Sequence, residues 1–560
     1  MIRDNKIWIA NNDAGEPVCM LPQMANRHGL VAGATGTGKT VTLKVLAESF
    51  SELGVPVFMA DVKGDVAGIL KPGVDSEDMQ ARIARFGLAE HGFTYQGSPC
   101  MFWDLYGKSG VQLRTTISEM GPLLLSRILR LNDLQSDILS VVFKIADDQN
   151  LLLVDTKDLK ALLSYVEDNS KEFQAEYGKI SSASIGVIIR AIVALESAGG
   201  EDFFGDPALN IADWLTCTAD GKGIINILDS SSLINDGRLY SAFLLWLLSE
   251  LFETLPEVGD LDKPKMVFFF DEAHLLFNDA TTVLLEKIEQ VVKLIRSKGV
   301  GVYFCTQNPR DVPNNVLAQL GNKIEHGLHA YTPAEQKAVR AAADSFRENP
   351  SFDTYETILS LGVGEAVISF LDEKGVPGVA EKSSVLPPRC LMGSITDMDR
   401  DATIKASPLY TKYAMEVDPD SAFEFLERMG LEAAAAAEQA KVAAAEAKAA
   451  EREAAAAARE EAKAREAEAK AAAKAAEQAE KEALKAREKA EKEALKEAEK
   501  KEAERRRAAQ NVGSSVGSTV GREVGQTIGN ALGGSFGKKL GGNVGASLGR
   551  GIMNTLFKKK

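Results

Sequence analysis

Short apolar runs alternate with longer stretches of three- and four-residue hydrophobic spacing along the first 400 residues. His28-Gly-Leu-Val-Ala32 reads as a strand. From Val41 to Leu53 the apolar residues Leu43, Val45, Leu46 and Phe50 fall at helical spacings, and Gly54 ends the pattern. Val55 to Ala60 is a buried strand that stops at Asp61. Gly223 to Leu228 and Met266 to Phe270 are further strands, with a strongly apolar helix from Tyr240 to Leu255 between them. Val283 to Ser297 is an amphipathic helix, and Val300 to Cys305 another buried strand. Glu365 to Leu371 and Val379 to Val385 form a hairpin around Glu373-Lys-Gly375. From Met101 to Glu196 the spacing is mostly helical, punctuated by Gly121-Pro122 and Asn132-Asp133. Strands and helices alternating at these lengths predict an α/β fold, a parallel sheet core in a three-layer sandwich. The core divides into residues 1–100 and 201–400 around a helical insertion at 101–200, followed by a linker helix at 401–430.

Beyond residue 430 the pattern changes. Residues 431–510 are mostly Ala, Glu, Lys and Arg with no Gly or Pro, the best helix-forming composition. Glu477/Lys481 and Glu488/Lys492 are i,i+4 pairs. One continuous helix there would reach about 120 Å. Past Val442 its large apolar residues are Leu484 and Leu495, so it lacks a leucine seam. A solvated stalk and an alanine-based coiled coil both remain open. In residues 511–560 glycine recurs at every fourth position from 513 to 549, each preceded by an apolar residue, from Val512 to Leu548. A period of four drifts about 40° per repeat around an α-helix, which favours a helical hairpin or self-packed bundle over one straight helix. Small residues four apart suit close backbone approach and self-association. The uncharged stretches of 14 residues are shorter than a membrane span, whereas Lys558-Lys-Lys560 suits an anionic membrane surface. Both uses of the tail stay open.

The formal net charge is −15. The first 430 residues carry −21, residues 431–510 cancel, and residues 511–560 carry +6. The body is therefore no generic polyanion binder, and nucleic acid would have to meet a local basic channel or the tail. The five cysteines form no C-x-x-C pair, which fits a reducing compartment and excludes a disulfide scaffold. The first residues lack an apolar targeting segment. The expected location is cytoplasmic, with peripheral membrane association through the tail as the variant.

Chemistry concentrates in a few motifs. Gly33-Ala34-Thr35-Gly36-Thr37-Gly38-Lys39-Thr40 is a complete Walker A sequence between a strand and a helix. Its backbone N–H groups, with Val41 at the helix start, would cradle phosphates. Lys39 would reach the β- and γ-phosphates of ATP, and the Thr40 hydroxyl would ligate Mg²⁺. Asp271, after five apolar residues, would hold the Mg²⁺, and Glu272 would activate the attacking water. Gln307, at the end of the next buried strand, would sense the γ-phosphate. Asp61-Val-Lys63-Gly64-Asp65 either supports this site or is a charged turn. His274 reads as a polar residue at a helix start.

These motifs, with Leu113-Arg-Thr-Thr-Ile-Ser-Glu-Met-Gly-Pro122, Phe270-Asp-Glu-Ala-His-Leu-Leu276 and Thr306-Gln-Asn-Pro309, resemble the HerA/FtsK-type P-loop ATPases. The closest resemblance is to their bacterial HerA C-terminal-domain-like branch, and it runs from about Ile7 to Met398. It implies a RecA-like P-loop NTPase core, Mg²⁺-dependent ATP hydrolysis and a homo-oligomer, a hexameric ring. It implies a DNA translocase or helicase-like motor, with protein- or membrane-coupled work, or a nucleotide-dependent scaffold, as alternatives. An arginine completing the neighbouring site is expected within Glu325-His-Gly-Leu-His-Ala330, where this chain has His329. Arg296, Arg310 and Arg340 are the substitutes. The stalk and the glycine tail lie outside the family core.

Overall fold

The computed structural model describes residues 1–197, 199–231, 237–278 and 282–480. They form two compact units. The first comprises Met1–Lys144, Leu152–Lys160 and Ser181–Pro419. The second comprises Ile145–Leu151, Ala161–Ile180 and the described residues from Asp420 to Glu480.

The first unit is built on a 13-stranded sheet. Its strands are β1 (Ile2–Arg3), β2 (Lys6–Asn12), β3 (Pro17–Met20), β4 (Gly29–Ala32), β5 (Val57–Asp61), β6 (Cys100–Asp104) and β7 (Val111–Gln112). They continue with β8 (Ile225–Asp229), β9 (Met266–Phe270), β10 (Val300–Thr306), β11 (Asn322–His326), β12 (Glu365–Ser369) and β13 (Glu381–Val385). The spatial order is β1-β2-β13-β12-β11-β4-β10-β9-β5-β8-β6-β7, with β3 beside β2. From β11 to β7 every pairing is parallel, and from β11 outward to β1 every pairing is antiparallel.

The central strands are apolar on both faces because both faces are covered. All residues of β9 and β10 are buried. On one face Phe50, from the helix Lys39–Glu52, packs its ring 6.3 Å from both Phe269 and Tyr303. Alternate residues of the same strands point to the other face. There Trp214 stacks on Phe58 at 5.0 Å, and Phe304 meets Phe270 and Phe277. The fold is thus the expected α/β core in three layers.

Strands read from the sequence at 28–32, 55–60, 223–228, 266–270 and 300–305 are found within two residues of those bounds, and the closing hairpin is β12–β13. One boundary differs. Cys100–Asp104 is a core strand paired with β8, although it lies at the start of the stretch read as helical. Its apolar run is short enough to fit either element, and only the vacant edge of β8 decides it. The insertion's helices begin at Ile117, where Thr116 and Glu119 form a capping box. Within that first helix Gly121 has φ 71°, so the Gly-Pro pair interrupts it as its composition suggests.

The region read as one linker helix at 401–430 is divided. Helices Asp397–Ala406 and Pro408–Tyr413 belong to the first unit. In the second unit a 59-residue helix begins already at Ala422 and runs to Glu480. At its start the Glu424 side chain folds back, its Oε2 accepting the Ser421 backbone N–H and hydroxyl at 3.0 and 2.6 Å. At 1.5 Å per residue it is about 90 Å long. Residues 481–510 of the predicted stalk and the glycine repeat at 511–560 lie outside the described residues. Also in the second unit, Phe173 is enclosed by the rings of Tyr165 and Tyr177 at 5.9 and 6.2 Å. Among the described residues no single helix is long and apolar enough to cross a membrane.

The helix Lys39–Glu52 carries a charged stripe that is buried. Lys44 and Glu48 are 0% and 3% exposed. Lys44 Nζ donates to the carbonyls of Leu391 and Met392 at 2.9 and 3.0 Å. The Glu48 carboxylate accepts the backbone N–H groups of Arg389 and Cys390 at 3.1 and 2.9 Å. Arg389 also pairs with Glu52 at 2.8 Å. The phosphate-loop helix is therefore clamped from outside by the segment that follows the last strand. Glu48→Ala strands two buried backbone donors, while Arg389 keeps Glu52, so it should cost about 3 kcal/mol. Glu48→Gln, which keeps an acceptor, should cost less. Urea unfolding of the two variants against the unaltered chain checks the order.

Candidate active site

The site begins where β4 ends. The loop after Ala32 turns with φ of 148°, 81° and 115° at Gly33, Gly36 and Gly38, values that side chains other than glycine rarely adopt. At Gly33 a Cβ would also lie 2.5 Å from His326 Cβ. Neighbouring elements hold the loop. Ala34 N–H donates to Gly327 O at 2.9 Å, and Gly364 N–H donates to Thr37 O at 2.9 Å. Thr37 Oγ1 closes the loop onto Ala34 O at 2.7 Å. Thr35 and Gly36 stay exposed at its mouth. Lys39, Thr40 and Val41 open the helix. Lys39 Nζ turns back over the loop to Gly33 O and Ala34 O at 2.6 and 2.9 Å. Burial lowers its pKa.

Asp271 and Glu272 follow β9 and are 9% and 4% exposed. Glu272 adopts φ 48°, a strained conformation for a residue with a side chain, of the kind found at functional sites. Burial, and then the charge of Glu272, raise the pKa of Asp271. Asp271 Oδ1 accepts the Glu272 N–H at 2.9 Å.

Strand β10 lies between β4 and β9, and its end brings Gln307 between the loop and the acid pair. Gln307 Nε2 donates to Glu272 Oε1 and Oε2 at 3.1 and 3.3 Å. Gln307 Oε1 accepts the Thr35 hydroxyl at 3.1 Å. Two further side chains complete the surroundings of Glu272: the Lys63 ammonium, Nζ at 3.1 Å, and the His274 ring, Nδ1 at 3.3 Å. Burial alone would raise the Glu272 pKa. Lys63, Gln307 and His274 outweigh it and hold the carboxyl below its ordinary value. The structure thus brings Thr35, Gln307 and Glu272 into one connected network, with Lys39 turned onto the same loop.

Sequence reasoning left Lys63 undecided and missed His326. Lys63 sits in the Asp61–Asp65 turn, which is part of the site. His326 is fully buried. Its Nε2 lies 2.8 Å from Thr42 Oγ1 and its Nδ1 2.9 Å from Glu365 O. Burial holds its pKa down to about 4, so the ring is neutral. A carbonyl can only accept, so Nδ1 carries the proton and Nε2 accepts from Thr42. The adjacent Glu325 is 2% exposed, and its Oε1 has no hydrogen-bond partner. No pattern in the sequence separates these buried polar residues from exposed ones. His329 stacks on Tyr331 at 5.6 Å. Arg340 lies over the Tyr355 ring at 4.7 Å, and Arg310 lines a surface cavity with Lys337 and Pro313. Arg296 follows the helix Thr282–Ile295 in a short turn.

Thr40, in the first turn of the helix Lys39–Glu52, and Asp271, directly after β9, are the two oxygen donors that the sequence offers to a metal. Among the described residues there is no group of three or more His, Cys, Asp or Glu that could hold one. That sparse set suits Mg²⁺, which keeps waters and takes phosphate oxygens beside one or two protein ligands.

The family described as "Helicase HerA-like C-terminal" matches residues 6–543. The chain belongs to this family. Among curated relatives, the DNA double-strand break repair helicase HerA of Sulfolobus acidocaldarius is 23% identical over 355 residues, covering 61% of this chain and 62% of that protein. The protein of the same name from Saccharolobus solfataricus is 24% identical over 351 residues, covering 61% of each chain. The chain therefore spans about three fifths of the length of these relatives. Similar solved structures include the plasmid coupling protein TrwB in complex with ADP and Mg²⁺, at 16% identity and TM-score 0.47, covering 70% of this chain and 93% of TrwB. VirB4 of Thermoanaerobacter pseudethanolicus is similar at 16% identity and TM-score 0.44, covering 69% of this chain and 97% of that one. As a member of the HerA-like family, the chain is a P-loop ATPase in kind.

Glu325 generates a pH prediction. Burial pushes its carboxyl from 4.5 up to about 8. Between those values the folded chain binds a proton that the unfolded chain releases, so this group's contribution to stability falls as pH rises through the window. Glu325→Gln should flatten that loss, with its gain over the unaltered chain growing through the window and levelling off above about pH 8. Thermal unfolding from pH 5 to 9 checks it.

Proposed function

We propose that this HerA-like chain is a Mg²⁺-dependent ATPase that works in the cytoplasm as a ring-forming motor on nucleic acid. The observation that carries the hydrolytic reading is the contact chain Thr35–Gln307–Glu272, which ties the phosphate loop to a buried carboxylate. Loop N–H groups and Lys39 would hold the β- and γ-phosphates. Thr40 and Asp271 would hold Mg²⁺, whose charge offsets that of the phosphates. Glu272 would take a proton from the water that attacks the γ-phosphorus, with ADP as leaving group. Gln307, bonded to both sides, would report whether the γ-phosphate is present. Most of the catalysis would come from positioning and charge.

The nucleic-acid part rests on the HerA relatives, which are DNA double-strand break repair helicases. A body of charge −21 restricts contact with a polyanion to local basic surface, which a ring channel would supply. The second reading is an ATPase coupled to protein or membrane work. It is favoured by the 59-residue helix and the glycine repeat beyond it, which suit a tether.

The test is ATP turnover by the full chain with and without single- and double-stranded DNA across a salt series. Stimulation that fades as salt rises is expected. Turnover unchanged by DNA at every salt would move the assignment to the second reading. Lys39→Ala should abolish turnover. Glu272→Gln should keep ATP binding while lowering kcat by about 100-fold or more.

A further inference from the structure

The Asp61–Asp65 turn is built into the site by the order of the sheet. Strand β5 pairs with β9, Phe58 opposite Phe268, so both chains leave the sheet on the same edge. The Asp61 carboxylate then shapes the turn, accepting the N–H of Gly64 at 2.7 Å and of Ala67 at 3.1 Å. Gly64 takes φ 76°. Lys63 is thereby presented to Glu272 at 3.1 Å while its side chain stays 45% exposed. The same Glu272 oxygen accepts from Gln307 at 3.1 Å, and Gln307 reaches the mouth of the phosphate loop through Thr35. One hydrogen bond therefore separates Lys63 from the carboxylate that would orient water and two from the residue that would sense the γ-phosphate. An ammonium has three donors, and one of them is directed to Glu272.

Phosphoryl transfer gathers negative charge on the γ-phosphoryl oxygens, and such sites place a cation there. In this chain the position where the family resemblance would place an arginine is His329, which stacks on Tyr331. From this geometry we propose that Lys63 is a second phosphate-recognising cation, which contacts the terminal phosphate of a nucleoside triphosphate from within the same chain and sets the preference for triphosphate over diphosphate. The inference rests on the ATPase reading above. Its alternative is a bland one: a half-exposed lysine that only offsets the charge of a buried glutamate.

The two differ in what they do to binding. The experiment measures Kd for ADP and for a non-hydrolysable β,γ-imido ATP analogue, both with Mg²⁺, on the full chain. Lys63→Met should weaken the analogue by about tenfold, the scale of one charge-assisted hydrogen bond, and leave ADP unchanged. Lys63→Arg should restore most of the preference. Equal weakening of both nucleotides would make Lys63 a support of the fold and overturn the proposal. Unchanged affinities would leave it a partner of Glu272 only and also overturn it. If the unaltered chain binds neither nucleotide, the ATPase reading falls and this one with it. Loss of ADP binding in Lys39→Ala, with ADP binding intact in Lys63→Met, separates the two claims.

Discussion

One strand's position organises the site. Because β10 lies between β4 and β9, the phosphate loop and the acid pair leave the sheet two strand spacings apart, roughly 10 Å. That gap is too wide for direct contact between Thr35 and Glu272, and too narrow to stay solvated around a carboxylate that is 4% exposed. A glutamine at the end of the intervening strand fills it with a donor on one side and an acceptor on the other. An isosteric carboxylate at position 307 would face Glu272 with like charge, and an alanine would leave the gap to water. The central strand thus sets distance and chemistry together.

Burial of Glu272 makes the second demand. A carboxylate so enclosed needs cations or donors around it. Three different segments supply them: the β5 turn through Lys63, the β10 end through Gln307, and the next helix through His274. The left-handed backbone of Glu272 turns its side chain into their midst. None of these three partners is near the others in sequence.

A similar logic holds the phosphate loop from behind. The neutral His326 ring joins Thr42 to Glu365 O, Gly327 and Gly364 bind the loop's backbone, and Lys44 and Glu48 anchor the helix to residues 389–392. A loop that must present its N–H groups outward without reorganising gains from such a rigid outer layer. The end of β11, the start of the antiparallel β12 and the segment after β13 supply that layer, so the edge added to the parallel sheet also serves the site.

Sequence alone determined the strands β4, β5, β8, β9 and β10, the β12–β13 hairpin, the phosphate loop, the acid pair and the glutamine that ends β10. Each of these is local: an apolar run of strand length, a glycine spacing, a polar residue at a strand's end. The long Ala-rich helix was legible for the same reason, although it starts at Ala422, ahead of the change in composition, where Glu424 folds back onto Ser421. Tertiary structure decided the rest. Cys100–Asp104 became a strand because β8 offered an edge. Lys63 joined the site, and His326, Glu325, Lys44 and Glu48 were buried, because strands far apart in sequence are neighbours in the sheet. Charge and polarity mark residues that are usually outside. Only packing shows which of them have found partners that let them stay inside.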